Sequence, residues 1–318
     1  MRTRATLLLA AVDALLALML IAGLLSGRAP APARPLVDEG VTRATALSVY
    51  GADPTELRRD AGGWSIVRGD ASYPARADRV DAFLGALAAG TLVREVTDDA
   101  TLLGQFGLLE PRVRRVVVEA DGSPRELLFG DAAEAPGMLY HRVGDGQTVW
   151  LVEAPIDFYL GQTASFWAYL RLFPEDAYAG EAVRLTVELS GGGSRVAGAT
   201  YSSLELSRGA DDGWSAAVDG REIGVSAAGA LAYARDLVDL VGGGFYEGSV
   251  DDLPTLATLG FLLADGRTYS VEVLTDGEAL VLVPRGARLP GAEYGGLVYT
   301  ASPERIARLV PDPGELSE

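Results

Sequence analysis

His141 is the only histidine in the 318-residue chain, so it is the first side chain to weigh for chemistry. A lone imidazole can serve a Ser-His-Asp triad, but one chain holding it builds neither an HExxH helix nor a multi-histidine zinc site. No GxSxG elbow accompanies it. It stands in "GMLYHRVGDG", where strand alternation puts Leu139, His141 and Val143 on one face and Tyr140 and Arg142 on the other. A structural or solvent-facing role is expected. Carboxylates are the other candidates, and two adjacent pairs recur: Asp98 with Asp99, and Asp251 with Asp252. A glycosidase needs two carboxyl groups about 5 to 9.5 Å apart across a cleft. Sequence neighbours more naturally enter helices or open turns.

Missing residue types narrow the chemistry further. The chain has no cysteine, and all 27 of its basic residues are arginine. Thiol nucleophiles, thiolate metal sites, Schiff-base lysines, the GxxxxGK phosphate loop and Ser-Lys dyads are all excluded. No catalytic residue, cofactor or metal is therefore expected. A formal charge of −17 repels nucleic acid, so no nucleic-acid partner is expected either.

The elements that would position any site begin with an anchor. Residues 1–6 are basic, and "LLLAAVDALLALMLIAGLL", residues 7–25, is apolar with one charge. As a helix its 19 residues span roughly 28 Å, enough to cross a bilayer. Asp13 costs about 2.5 to 3.5 kcal/mol at the centre of such a span, against roughly 0.3 to 0.6 gained per Leu, Ile or Val. It is either tolerated near one end or matched to a polar group on a partner helix. The run is longer than a usual signal core, so a retained signal-anchor is expected despite the Ala-Pro-Ala triplets of "APAPAR". This predicts a single pass through a membrane, the amino terminus on the cytoplasmic side and the body on the extracytoplasmic side.

A Pro/Ala-rich tether is expected over 26–40, then two similar units. In the first, 41–162, "VTRATALSVYG", "TELRRDAG" and "GWSIVRG" read as strands. "ARADRVDAFLGALAAG" carries Val80, Phe83, Leu84 and Leu87 on one helical face. "DDATLLGQFGLLEP" reads as a short second helix stopped by Pro111, before four meander strands separated by DG, Pro-Gly and GDG turns. The second unit, 182–311, replays this order, ahead of an acidic tail at 312–318. Trp64 and Trp214 stand 150 residues apart, and the prolines of "LVEAP" and "YTASP" 148 apart. The second copy lacks a stretch equivalent to "LLGQFGLLEP". The fold class expected is α+β: tandem duplicated, mostly antiparallel sheet modules, each with one or two helices, preceded by one transmembrane helix. Each tryptophan is expected to seal a helix against a sheet.

The order "ELRRDAGGWSIV", "RADRVDAFLGALA", "FGLLEP", "RELLFGD", "LYHRVGDGQTVWLV" resembles the bacterial domain of unknown function 4340. The link "FWAYLRLFPEDAYAGEAVRLTVEL" at 166–189 is similar too. The resemblance covers roughly residues 40–310. It implies one amino-terminal transmembrane helix and a frequent setting beside ATP-binding-cassette (ABC) transporter and gliding-motility auxiliary components, with no catalytic residues to carry over.

These readings converge on a non-enzymatic, membrane-anchored accessory or scaffold protein whose partners are the bilayer, through 7–25, and ABC transporter membrane subunits. The candidate contacts are Asp13 in the span and Phe166, Trp167 and Tyr169 in the inter-module link 163–181. Two alternatives stand beside it: a ligand- or glycan-binding module, and a carboxylate-based hydrolase of envelope glycans.

Overall fold

The structure, a computed structural model, describes residues 34–51, 53–174, 177–191, 198–286 and 297–317. The apolar segment 7–25, with Asp13, lies outside the described residues. Among the described residues no helix is long and apolar enough to cross a membrane.

The carboxyl-terminal part of the expected tether is packed chain. Strand β1 (Arg34–Pro35) pairs with the first sheet, and Leu36 and Val37 are buried beside it. The 3-10 turn Glu39–Arg43 buries Val41. Among the described residues the first module extends back to Arg34, because two consecutive aliphatic residues there find an apolar face to cover.

Its elements follow as β2 (Ala46–Tyr50), β3 (Thr55–Asp60), β4 (Gly63–Arg68), β5 (Ala71–Pro74), α1 (Ala77–Ala89), β6 (Thr91–Thr97), β7 (Arg114–Ala120), β8 (Ser123–Ala132), β9 (Met138–Val143) and β10 (Val149–Glu153). Two short helices close the module, α2 (Asp157–Leu160) and α3 (Ala164–Trp167). The second module holds β11 (Ala182–Leu189), β12 (Ser203–Arg208), β13 (Trp214–Val218), β14 (Arg221–Ile223), α4 (Ala227–Val238), β15 (Gly244–Phe245), β16 (Thr255–Leu263), β17 (Thr268–Thr275), β18 (Leu280–Arg285), β19 (Tyr299–Ala301) and α5 (Pro303–Leu309).

Among the described residues two separate sheets form, and every strand pairing in them is antiparallel. The first has the order β1-β6-β10-β9-β8-β7-β2-β3-β4-β5, the second β14-β13-β12-β11-β16-β17-β18-β19-β15. Read from opposite ends the two orders coincide strand for strand, with β1 as the one addition. In each, a four-strand meander runs outward to one edge. A helix then carries the chain back to the far edge, and a second meander fills the space between.

The helices are held by their apolar faces. Val80, Phe83, Leu84 and Leu87 of α1 are all buried, as are Ala230, Tyr233, Ala234, Leu237 and Val238 of α4. The i, i+3, i+4, i+7 spacing repeats at the same offset of 150 residues as the tryptophans. Trp64 donates its Nε1 proton to Asp81 Oδ1 at 3.3 Å, tying β4 to α1. Trp214 is half-buried against the same core. Turn chemistry agrees with the sequence: Asp121-Gly122 and Asp219-Gly220 have positive φ at both residues, the geometry that matches strand twist in a tight hairpin.

The expected second helix is a 3-10 segment, Ala100–Phe106. Asp99 Oδ1 accepts from the Thr101 amide at 2.9 Å, so this aspartate pair marks a helix entry. The stop is Gly107, at φ 70°, not Pro111. A Cβ on Gly107 would lie 2.3 Å from Asp131 Oδ1, and one on Gly130 would lie 2.0 Å from the Phe106 carbonyl. The segment therefore lies directly on β8, covering Leu128 and Val149 on the sheet's outer face with Leu103 and Leu108. In the second module the shorter run Tyr246, Val250 and Leu253 covers Leu274, Val281 and Val283 in the same way.

The link joins both modules by backbone bonds. Ala168 bridges Ala75 and Arg171 bridges Val241. The Tyr169 amide donates to Pro74 O at 2.8 Å, and the Leu172 amide to Leu240 O at 2.9 Å. One apolar cluster runs through both modules and this seam.

Candidate functional site

Trp167 is 0% exposed, enclosed by Phe83, Tyr159 and Phe166 at ring distances of 5.0 to 5.9 Å. It is a seam residue, and its burial removes it from the candidate contacts. Phe166 is half-buried, with the Arg79 guanidinium 4.4 Å over its ring. Tyr169 is half-buried as well. The structure brings these three together in the joint between the sheets, whereas Asp13 lies outside the described residues.

His141 is buried on β9. Its Nδ1 lies 3.0 Å from the Leu128 carbonyl, which only accepts, so Nδ1 carries the proton. Nε2 has no partner among the described residues, and the ring packs 4.9 Å from Phe129. Burial is the main reason its pKa falls to about 4, and the charge of Arg125 adds to the fall against the Leu128 hydrogen bond. A neutral imidazole enclosed in the sheet is a core residue. Among the described residues, no three of His, Asp and Glu gather to hold a metal ion.

The surface offers a different constellation. A cleft of about 890 Å³ is built around "GLLEPRVRR", between the outer-face 3-10 segment, the start of β7 and the turn after β9. Four arginines line it: Arg112, Arg114, Arg115 and Arg142. Arg112 Nη1 lies 2.6 Å from Asp131, Arg114 Nη1 2.6 Å from Asp157, and Arg115 Nη1 3.5 Å from Glu126. Arg112 also donates to the Gly104 carbonyl, Arg114 to Gly130 O, and Arg142 to Gly146 O. The Arg115 guanidinium sits 3.9 Å over the Tyr50 ring. Such exposed ion pairs contribute only about 0 to 1 kcal/mol each. Their effect is to hold the guanidinium planes in place while leaving them easy to re-partner.

Apolar side chains gather at the same place. Of seven large apolar residues exposed among the described residues, Tyr50 and Leu109 line this cleft, Val143 stands in the chain between its lining residues Arg142 and Gly144, and Phe158 follows the Asp157 that pairs with Arg114, making four. Phe158 is the most open of the four at 62%, next to the Asp157 that holds Arg114. Arginine with exposed aromatic and aliphatic groups is the composition of a docking surface. Sequence reasoning missed it, because Tyr50, Leu109 and Phe158 come from three separated segments that only the fold brings together. "PRVRR" was its one local signal.

The model of the family described as "Domain of unknown function (DUF4340)" matches residues 64–241, more than half of the chain. The chain belongs to this family. The DUF4340 match runs from the Trp64 strand through the arginine-lined cleft and the link to Val241, where the link bridges the second module. No curated protein and no solved structure matches the chain significantly.

Proposed function

We propose that this DUF4340 protein is a non-enzymatic accessory or scaffold protein, anchored by residues 7–25 in the bacterial cytoplasmic membrane with its body on the extracytoplasmic side. On this reading it associates with the membrane subunits of an ABC-type transport system. Its two modules descend from one duplicated unit, a history favoured by their coincident strand orders. The observation that carries the functional reading is the cleft around Leu109, Arg112, Arg114 and Phe158, where exposed apolar groups and oriented guanidinium groups share one surface. The arginine-paired carboxylates beside this cleft, and the enclosed imidazole, favour docking over hydrolysis.

The test is recovery of partners from solubilised membranes after cross-linking. Wild type is expected to bring down transporter membrane subunits, and Phe158→Ala combined with Leu109→Ser to lose them while still fractionating with membranes. Recovery of the wild-type protein alone would remove the proposal.

A further inference from the structure

A second cleft, of about 690 Å³, opens between the two sheets. The first module contributes Tyr50, Glu56 and the β4–β5 hairpin, including Arg68, Asp70 and Tyr73. The second contributes Tyr246, Glu247, Gly248 and Val298. Tyr73 is nearly buried between the modules. Its hydroxyl donates to Val298 O at 3.2 Å, and its ring packs 4.6 Å from Phe245 and 5.6 Å from Tyr299. Gly248 makes room for Tyr246, since a Cβ there would sit 2.8 Å from the ring. Burial and the neighbouring Asp276 carboxylate both raise the Tyr246 phenol above its ordinary pKa.

The charges in this cleft do not cancel. Arg68 is committed to Asp53 at 2.8 Å and lies 5.6 Å over Phe245. Glu56 is matched by Arg58 at 2.7 Å. Asp70 and Glu247 have no ion-pair partner among the described residues. Burial lifts the Tyr73 phenol above its ordinary pKa, and the negative charge of Glu247 adds to the lift. Aromatic rings and unmatched carboxylates therefore share one cavity built from both modules.

We propose that this inter-module cleft binds a small organic cation bearing ammonium groups, held by the rings of Tyr50 and Tyr246 and the carboxylates of Asp70 and Glu247. Ring faces attract cations through their quadrupole, and a carboxylate supplies a charge-assisted hydrogen bond to each ammonium. The volume lies in the range of small-ligand sites. The chain already uses such pairing at the rim, where Arg115 covers one face of Tyr50. The ring lining rewards a weakly hydrated organic cation more than a metal ion that keeps its hydration shell.

Calorimetric titration of the full 318-residue chain, purified in detergent, with spermidine at 0.15 M salt tests this. Saturable one-to-one binding is expected, weakened at least about tenfold in Glu247→Gln and in Tyr246→Ala. Glu247→Gln should keep the wild-type melting temperature. Tyr246→Ala, which also uncovers Leu274, Val281 and Val283, is titrated well below its lowered melting temperature. Glu39→Gln, an exposed carboxylate outside the cleft, should keep wild-type binding. A lysine-rich peptide titrated in parallel separates the sources of the ammonium group. If the peptide binds through Glu247 and Tyr246 while spermidine does not, the free small cation is wrong. Absence of saturable heat, binding that survives both cleft variants, or an equal loss in Glu39→Gln also overturns the proposal. The last outcome marks diffuse attraction to a chain of −17.

Discussion

His141 is the side chain with the sharpest measurable consequence. Its folded pKa, about 4, lies below the ordinary 6.5, so between those values the unfolded chain binds the proton and the folded chain does not. Stability therefore rises with pH through this window: the contribution is complete above pH 6.5 and lost as pH falls to 4. The shift corresponds to roughly 3 kcal/mol. Urea unfolding between pH 7 and 4 should show this loss, and His141→Leu should be less stable at pH 7 yet flatter across the window. Equal slopes in the two proteins would contradict the assignment. Asp53 acts in the same direction at lower pH. Burial opposes its ionisation, but the Arg68 hydrogen bond, the Ala164 amide and the Arg68 charge outweigh it and hold its pKa below the ordinary carboxylate value. Its contribution is present above that ordinary value and fades as pH falls through the folded one.

At the scale of elements, the segment 100–113 illustrates how much of an insertion is structural. Leu108 is fully buried against the outer face of the first sheet. Leu108→Ala should cost about 2 to 5 kcal/mol by the usual cavity penalty, read as a lower urea midpoint. It should also disturb the arginine-lined cleft that this segment frames. The α4 cap is more modest: Ser226 Oγ accepts from the Gly229 amide at 2.9 Å, and Ser226→Ala should cost about 1 kcal/mol with no change in m-value. Edge management is visible in the part of β6 beyond Thr91 and Leu92, the two residues that β1 covers: its pairing with β10 carries two register shifts, and its exposed stretch holds Arg94 and Glu95. Charges and bulges on an edge discourage pairing with another chain.

Over the whole molecule, the seam decides whether two modules behave as one. Trp167 has neighbours from α1, α2 and the link, and the apolar cluster is continuous through it. Trp167→Ala is expected to cost about 3 to 5 kcal/mol and to split a single calorimetric transition into two. A single transition in the variant, shifted but intact, would mean that the modules are coupled elsewhere. The overall charge of −17 predicts solubility for the body and no retention on nucleic-acid columns, whatever the partner.

Sequence alone determined the features that rest on local periodicity and on backbone permission. The face Val80, Phe83, Leu84, Leu87 identifies α1 because only a 3.6-residue repeat aligns those four positions. The Asp-Gly pair at 121 marks a hairpin because few other residues tolerate its positive φ. The repeat was legible in the spacing of Trp64 and Trp214, and the buried faces of α1 and α4 fall at the same offset. The two-residue strands β1 and β15, the short β5 and β14, β6, and α5, opened by Ser302 and Pro303, escaped that reading. The shortest carry no periodicity, and β6 exposes its middle, Val93 to Glu95, instead of alternating; the pairing of each is set by which edge the chain reaches. Only the tertiary structure decided that Trp167 closes a seam, that His141 is enclosed, and that Tyr50, Leu109, Arg114 and Phe158 share a surface. Burial and proximity between distant segments depend on how whole sheets pack, a property no local stretch of sequence contains.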